Sequence, residues 1–121
     1  MKYRRFKEAE VLKQVLSKLK SLELTGSVVW HSRINSGKVK TGMYYLNLCA
    51  AGTPDIIAIV RAIDGKVAVL FLECKRSGVK KLRFEQQRFF NYMADHPGVK
   101  CAVINDVSQV WSAVQKARNY E

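Results

Sequence analysis

Three polar side chains lie at the ends of apolar stretches in the middle of the chain and could carry chemistry. Asp55 opens the apolar stretch 56–60, and Glu73 and Lys75 close the stretch that begins at Val67. Both stretches are predicted to be β-strands, in which residues two apart share a face, so we expect Glu73 and Lys75 side by side. A carboxylate beside a core strand is costly unless a partner satisfies it. The pattern therefore predicts a polar cluster at one end of a sheet.

The turn between these two strands decides whether Asp55 joins that cluster. A two-residue loop at Asp64-Gly65 would place Asp55 opposite Cys74, pointing away from the glutamate. A loop that also includes Ile63, with the glycine in the left-handed conformation, would place Asp55 opposite Glu73 instead. The spacing permits both registers, and only the longer loop gathers the two carboxylates with the lysine.

Two predicted helices carry a polar residue on an apolar face. In the first, from about Lys7 to Leu22, Glu8 falls in the middle of the apolar stripe and Glu10 falls on the polar side. This favours Glu8 over Glu10 as the acid of the site, although a glutamate here could simply favour the helix dipole. In the second helix, over 82–93, Gln86 lies on the buried stripe. It either hydrogen-bonds to backbone or reaches the polar cluster.

The remaining elements complete a layered α/β domain. Strand-like composition also marks Ser27–Ile34, Tyr44–Leu48 and Lys100–Asn105, and Asp106 can cap a last helix over 107–118. The predicted order is α-β-β-β-β-α-β-α, with helices packed on a mixed central sheet. The two central strands lack polar alternation, which predicts a sheet covered on both faces. At 121 residues, the chain is expected to form a single domain over 1–121.

Composition favours a polyanionic partner. Lys and Arg number 21 against 10 Asp and Glu, which gives a net charge of +11. Such an excess on a small domain is typical of nucleic-acid binding. No apolar stretch is long enough to span a bilayer, and no signal-peptide pattern opens the chain, so we expect no membrane partner and a cytoplasmic or nuclear location. Three widely spaced cysteines predict no disulfide framework.

These motifs occur in an order that resembles a known nuclease family. Gly52-Thr53-Pro54-Asp55, Glu73-Cys74-Lys75 and Glu85-Gln86-x-x-Phe89 are similar to the PD-(D/E)xK superfamily, above all to its virus-type replication-repair nuclease (VRR-NUC) domain. Glu8 resembles the acidic residue of that family's first helix, and Arg33-x-Asn35-x-Gly37-Lys38 resembles its strand-and-turn segment. The resemblance implies a restriction-endonuclease-like α/β fold.

The resemblance also implies a metal-dependent reaction. Asp55 and Glu73 would be direct Mg²⁺ ligands, with the Cys74 carbonyl as a third oxygen and Glu8 holding a second metal or a metal-bound water. Lys75 would orient the attacking water, and Gln86 would position Lys75 or the water network. Mn²⁺ is expected to substitute. A last group of residues is expected to contact phosphates: Arg33, Asn35, Lys38, Lys40, Arg76, Lys80, Lys81 and Arg83.

The expected activity is cleavage of branched DNA, such as a Holliday junction, by a homodimer with one site per protomer. Two other classes of protein fit the same residues. One is a non-catalytic nucleic-acid-binding module with this fold. The other is a basic structural protein in which Glu73 and Lys75 form an ordinary ion pair at the end of a strand.

Overall fold

The computed structural model describes residues 5–34, 38–47 and 49–121, and for 38–39 and 44–47 it describes the backbone alone. The sequence forms three helices and six strands in the described part, with one 3₁₀ turn at Val107–Gln109. The helices are α1 (Glu8–Leu24), α2 (Phe84–Met93) and α3 (Val110–Arg118). The strands are β1 (Val28–Arg33), β2 (Lys38–Thr41), β3 (Tyr44–Asn47), β4 (Ile56–Arg61), β5 (Val67–Cys74) and β6 (Val99–Ile104).

The main sheet is mixed and open, as predicted. Its four strands lie in the order β1-β4-β5-β6, with antiparallel pairs up to β5 and a parallel pair between β5 and β6. A parallel neighbour requires a crossover connection, and α2 lies within the one that joins β5 to β6. Helices therefore accompany a mixed sheet, and the chain is an α/β protein.

The predicted element order is wrong at one point. No strand was predicted between the one at Ser27–Ile34 and the one at Tyr44–Leu48, but Lys38–Thr41 forms β2, which pairs with β3 in a separate two-stranded sheet. A turn at Gly42 and Met43 joins these two strands, and its glycine has a φ of +62°. The predicted turn at Asn35-Ser36-Gly37 lies outside the described residues. A short polar strand such as Lys-Val-Lys-Thr lacks the apolar bias on which the sequence argument relied.

One face of the main sheet forms the hydrophobic core. Apolar residues of α1 at i, i+4, i+8 and i+11 pack with α3 on alternate residues of β4 and β5. The core residues of these four elements are Val11, Val15, Leu19, Leu22, Ile56, Ala58, Val60, Ala68, Leu70, Leu72, Cys74, Val110, Ala113, Val114 and Ala117. Burial thus separates the two faces of the central strands.

The opposite face is covered less completely than predicted. Phe89 of α2 contacts Phe71 of β5 edge-on, with ring centroids 5.0 Å apart. Ile57, Ile59 and Val69 on that face are only half-buried. A run of apolar residues without alternation therefore does not require two equally buried faces, because β-branched residues are tolerated on a partly solvated surface.

This asymmetry can be tested with one substitution at two neighbouring positions. Val60 of β4 is fully buried, whereas Val67 of β5 is 54% exposed. We expect Val60→Ala to lower the free energy of unfolding by about 2–3 kcal/mol, because it removes buried methyl groups and leaves a cavity. Val67→Ala should change it by about 0.5 kcal/mol. Urea denaturation of both variants measures the difference, and equal losses would contradict the assignment of faces.

Candidate active site

The turn between β4 and β5 sets Asp55 opposite Glu73. Ile56 pairs with Leu72 and Arg61 pairs with Val67, so the same register continued by one residue brings Asp55 level with Glu73. Gly65 has a φ of +83°, and the loop closes through a hydrogen bond that the Ala62 amide donates to the Lys66 carbonyl at 2.9 Å. The longer loop considered from the sequence is therefore confirmed.

The Asp55 carboxylate extends the ladder past the end of β4. Its Oδ2 accepts a hydrogen bond from the Cys74 amide at 2.7 Å. The backbone carbonyl of Asp55 accepts from the Ile34 amide at 2.7 Å on the other side. Asp55 is therefore fixed between β1 and β5, and a short-range backbone network sets the position of its carboxylate.

Gln86 connects Glu73 to Lys75. Its Nε2 donates to Glu73 Oε1 at 2.8 Å, and its Oε1 accepts from Lys75 Nζ at 2.8 Å. The lysine nitrogen itself lies 3.9 Å from Glu73 Oε1, so the closest partner of the carboxylate is the amide. All three side chains are buried. The prediction that Gln86 reaches the polar cluster is confirmed.

The start of α2 fixes the orientation of this amide. Gln86 Oε1 also accepts from the Arg83 amide at 2.9 Å, so the same oxygen caps the helix and holds the lysine. Every buried side-chain nitrogen or oxygen in the described part of the chain has a hydrogen-bond partner. The network is therefore complete, which makes the positions of its members mutually dependent.

Glu73 is surrounded by more negative charge than its lysine offsets. Burial, the charge of Asp55 and, to a smaller extent, the charge of Glu8 together raise the pKa of Glu73 to about 8. Lys75 and Arg83 act in the opposite direction. An excess of buried carboxylate over cationic charge is the condition in which a site gains most from a bound cation.

Glu8 is the first residue of α1 and is exposed, while Glu10 hydrogen-bonds to the backbone at the start of the helix. Glu10 Oε1 accepts from the Lys7 amide at 3.2 Å. The charge of Glu8 contributes to the raised pKa of Glu73. The choice of Glu8 over Glu10 stays a prediction.

Two hydrogen bonds that the sequence did not indicate bring α1 to this end of the sheet. The Phe6 amide donates to Ser77 Oγ at 2.8 Å, and the Ser77 amide donates to the Phe6 carbonyl at 3.0 Å. Phe6 precedes Glu8 by two residues, and Ser77 follows Lys75 by two. Serine three residues after a strand end is too common a pattern to predict such a pairing.

Asn105 is a second residue that sequence reasoning missed. It is buried at the end of β6, and its Nδ2 donates to the Val79 carbonyl at 3.1 Å. It attaches the segment between β5 and α2 to the end of β6, while Ser77 attaches the same segment to Phe6. Four basic residues predicted to contact phosphates are exposed on this segment: Arg76, Lys80, Lys81 and Arg83.

The other predicted phosphate contacts are only partly described. Arg33 is exposed at the end of β1, next to the backbone contact with Asp55, and Lys40 is exposed on β2. Asn35 and the side chain of Lys38 lie outside the described residues. The structure therefore brings together Asp55, Glu73, Lys75 and Gln86, with Arg33 and the basic segment beside them.

Cys74 faces the core on the opposite side of β5 from Glu73. It is fully buried among apolar residues, and burial raises the pKa of its thiol to about 12. A thiol in this environment stays protonated and unreactive. Cys74 therefore separates Glu73 from Lys75 along β5 and turns its own side chain to the opposite face.

Gly52 allows the loop before Asp55 to approach α2 very closely. Its φ is +83°, and a Cβ at this position would collide with the backbone carbonyl of Glu85. Glu85 precedes Gln86, so the close approach packs the loop against the first turn of α2. The glycine of the Gly52-Thr53-Pro54-Asp55 motif therefore has a packing role in addition to its conformational one.

No group of three or more His, Cys, Asp and Glu side chains among the described residues is arranged to hold a metal ion by itself. Within the same residues, no helix is both long enough and apolar enough to cross a membrane. The chain, an α/β protein with a mixed four-stranded sheet, was compared with protein-family models, curated proteins and solved structures, and none of them matches it.

We expect Gly52→Ala to destabilise the polar cluster, although Gly52 is not part of it. The added Cβ cannot fit against Glu85, so the free energy of unfolding should fall by about 2–4 kcal/mol. Gly78 has a φ of +81° with open space around it. Gly78→Ala should therefore lower the free energy of unfolding only through the strained backbone conformation, by about 1 kcal/mol. Urea denaturation separates the two effects, and equal losses would show that the close approach contributes nothing.

The raised pKa of Glu73 predicts a pH-dependent stability in EDTA. The folded protein holds a proton that the unfolded chain, with a pKa of 4.5, releases, so this contribution is present below about pH 4.5 and is lost as pH rises through about 8. Relative to Glu73→Gln, the wild type should lose on the order of 2 kcal/mol across this window. Urea denaturation at a series of pH values measures the loss. Glu85→Gln, an exposed control, should keep the wild-type profile.

Proposed function

We propose that this protein is a Mg²⁺-dependent endonuclease of the VRR-NUC type, with a restriction-endonuclease-like arrangement of its α/β fold. The observation that carries the proposal is the hydrogen-bonded unit of Glu73, Gln86 and Lys75 beside Asp55, at the end of two neighbouring strands. A purely structural ion pair would bring lysine and glutamate into direct contact. Here the amide lies between them and leaves the two charges 3.9 Å apart.

The donors at this end of the sheet suit a hard cation. Asp55, Glu73 and the Cys74 carbonyl are oxygen ligands, and Mg²⁺ is usually bound by one or two carboxylates together with water and substrate oxygens. Glu8, exposed on α1, would bind a second metal or a metal-bound water. When bound, the cation would lower the pKa of a water molecule and neutralise charge on the phosphate. The raised pKa of Glu73 supports this fit, because a cation would relieve the repulsion among the carboxylates.

The protein's own residues would then position the reacting groups. Lys75 is oriented by Gln86, and its ammonium would donate to the attacking water or to a phosphate oxygen that gains negative charge. Gln86 keeps Lys75 from collapsing onto Glu73, and Arg83 fixes the amide through the cap of α2. The division of roles leaves the carboxylates for the cation and the lysine for the substrate.

The surrounding basic residues would bind the phosphate backbone without reading base sequence. Arg76, Lys80, Lys81 and Arg83 are exposed on the segment that follows Lys75, and a net charge of +11 supports a polyanionic substrate. Contacts of this kind recognise the course of the backbone and weaken steeply with salt. We therefore propose selectivity for branched DNA, with a homodimer that would cut two strands related by its two-fold axis.

Removal of Lys75 should abolish metal-dependent cleavage. With a panel of labelled junction, flap, duplex and single-stranded DNAs, the wild type should cut branched DNA in Mg²⁺ or Mn²⁺ and not in EDTA. Lys75→Ala should reduce the rate by about 10²–10³-fold, the loss typical of one charge-stabilising donor. Lys66→Ala removes the same charge from the exposed turn at the other end of β5 and should retain activity.

Two controls separate the proposal from its competitors. Calorimetric Mg²⁺ titration should detect binding to the wild type and weaker binding to Asp55→Asn. Binding of DNA without any Mg²⁺-dependent cleavage would identify a non-catalytic nucleic-acid-binding module. Absence of Mg²⁺ binding, or equal binding after Asp55→Asn, would identify the polar cluster as structural.

A further inference from the structure

Helix α2 exposes two large aromatic side chains that the proposed chemistry does not use. Phe84 is 72% exposed and Tyr92 is 70% exposed, although burial of either would be favourable. They are eight residues apart, with Arg88 halfway between them. At about 100° per residue, the three side chains form one stripe on the side of the helix opposite Gln86. We call these three residues the aromatic stripe.

The members of the aromatic stripe are arranged for contact with a planar, anionic ligand. The Arg88 guanidinium lies over the Phe84 ring, 5.9 Å from its centroid. The Tyr92 ring is flanked by His96, with centroids 5.7 Å apart. Flat rings alternating with a cation match the chemistry of a nucleotide strand, in which bases alternate with phosphates.

An open cavity of about 750 Å³ runs along the same helix. Arg88 and Tyr92 line it, together with Phe89 and Met93 from α2 and Ala51 from the loop before Asp55. Glu85 is the one acidic residue in its lining. The cavity therefore connects the aromatic stripe to the loop that precedes the proposed metal ligand.

The stripe begins at the proposed active site. Phe84 directly follows Arg83. The Arg83 amide donates a hydrogen bond to Gln86 Oε1, and the charge of Arg83 lowers the pKa of Glu73. A strand that leaves the site along α2 would meet Phe84 first, then Arg88 and Tyr92. The basic segment Arg76–Arg83 directly precedes Phe84 in the chain. Such charge favours nucleic acid over an apolar protein surface as the occupant.

We propose that the aromatic stripe binds unpaired bases of single-stranded DNA at a branch point, by stacking on Phe84 and Tyr92 with Arg88 on the intervening phosphate. This rests on the proposed nuclease function and names the feature by which a branch would be distinguished from a continuous duplex. In a paired duplex, the faces of the bases are stacked on each other and cannot reach the rings. Stacking would therefore contribute only where strands separate.

Binding in EDTA tests the stripe independently of cleavage. Fluorescence anisotropy would compare a blunt duplex with a forked duplex of the same length that carries unpaired arms, and 2-aminopurine in an arm would report stacking through quenching. Phe84→Ala and Tyr92→Ala should each weaken binding to the forked DNA about tenfold, and each should reduce the quenching. Neither should change binding to the blunt duplex by more than about twofold.

Two control variants test whether any exposed aromatic residue, or the hydroxyl group of Tyr92 alone, would produce the same effect. Trp111→Ala removes an exposed aromatic residue of α3, on the other face of the sheet, and should leave both affinities unchanged. Tyr92→Phe keeps the ring and should retain wild-type binding and quenching. These outcomes do not require Mg²⁺, so a protein that binds forked DNA through the stripe but never cuts it would overturn the proposed activity alone.

Three results would overturn the stripe itself. The first is equal weakening on forked and blunt DNA, and the second is undiminished quenching after Phe84→Ala and Tyr92→Ala. The third is a change of oligomeric state in those variants, measured by light scattering, which would assign the rings to contact between copies of this chain.

Discussion

The site depends on one buried amide that lies between the carboxyl group of Glu73 and the ammonium group of Lys75. Gln86 donates to Glu73 and accepts from Lys75, and its oxygen also caps the first turn of α2. A buried carboxylate and a buried ammonium would normally collapse together, since their attraction in a poorly solvated region is strong. Because the amide satisfies both groups, neither must neutralise the other completely. A helix, a strand and the two charges thus share one hydrogen-bond network.

The β4–β5 turn is an equally strict constraint, because it decides which face Asp55 occupies. A register shift of one residue moves a strand's side chains to the other face. Gly65, in the left-handed conformation, supports the loop that sets Asp55 level with Glu73. The Cys74 amide then fixes the Asp55 carboxylate directly. The position of one turn glycine therefore determines the composition of a site that begins eight residues further along the chain, at Glu73.

Local patterns in the sequence predicted most of the elements and permitted the Asp55–Glu73 pair, whereas long-range contacts were not predictable. Glu73 and Lys75 share a face by strand geometry alone, and Gln86 could be placed on the buried side of its helix. Ser77 and Asn105 left no such pattern, because they bond to backbone groups 71 and 26 residues away. Strand β2 was missed for a different reason, since its pairing with β3 compensates for weak intrinsic strand preference.

The two faces of α2 would divide the work of the proposed nuclease between them. The inner face uses Gln86 to fix the polar cluster, and the outer face leaves Phe84, Arg88 and Tyr92 exposed. Because both sets lie on one rigid helix, a strand bound on the outside would have a fixed distance to Lys75 on the inside. Gly52 packs the loop before Asp55 onto the same first turn, so the carboxylate is tied to the helix as well. Recognition of a branch and orientation of the reacting groups would then depend on the same first turn of α2, and loosening that turn would impair both.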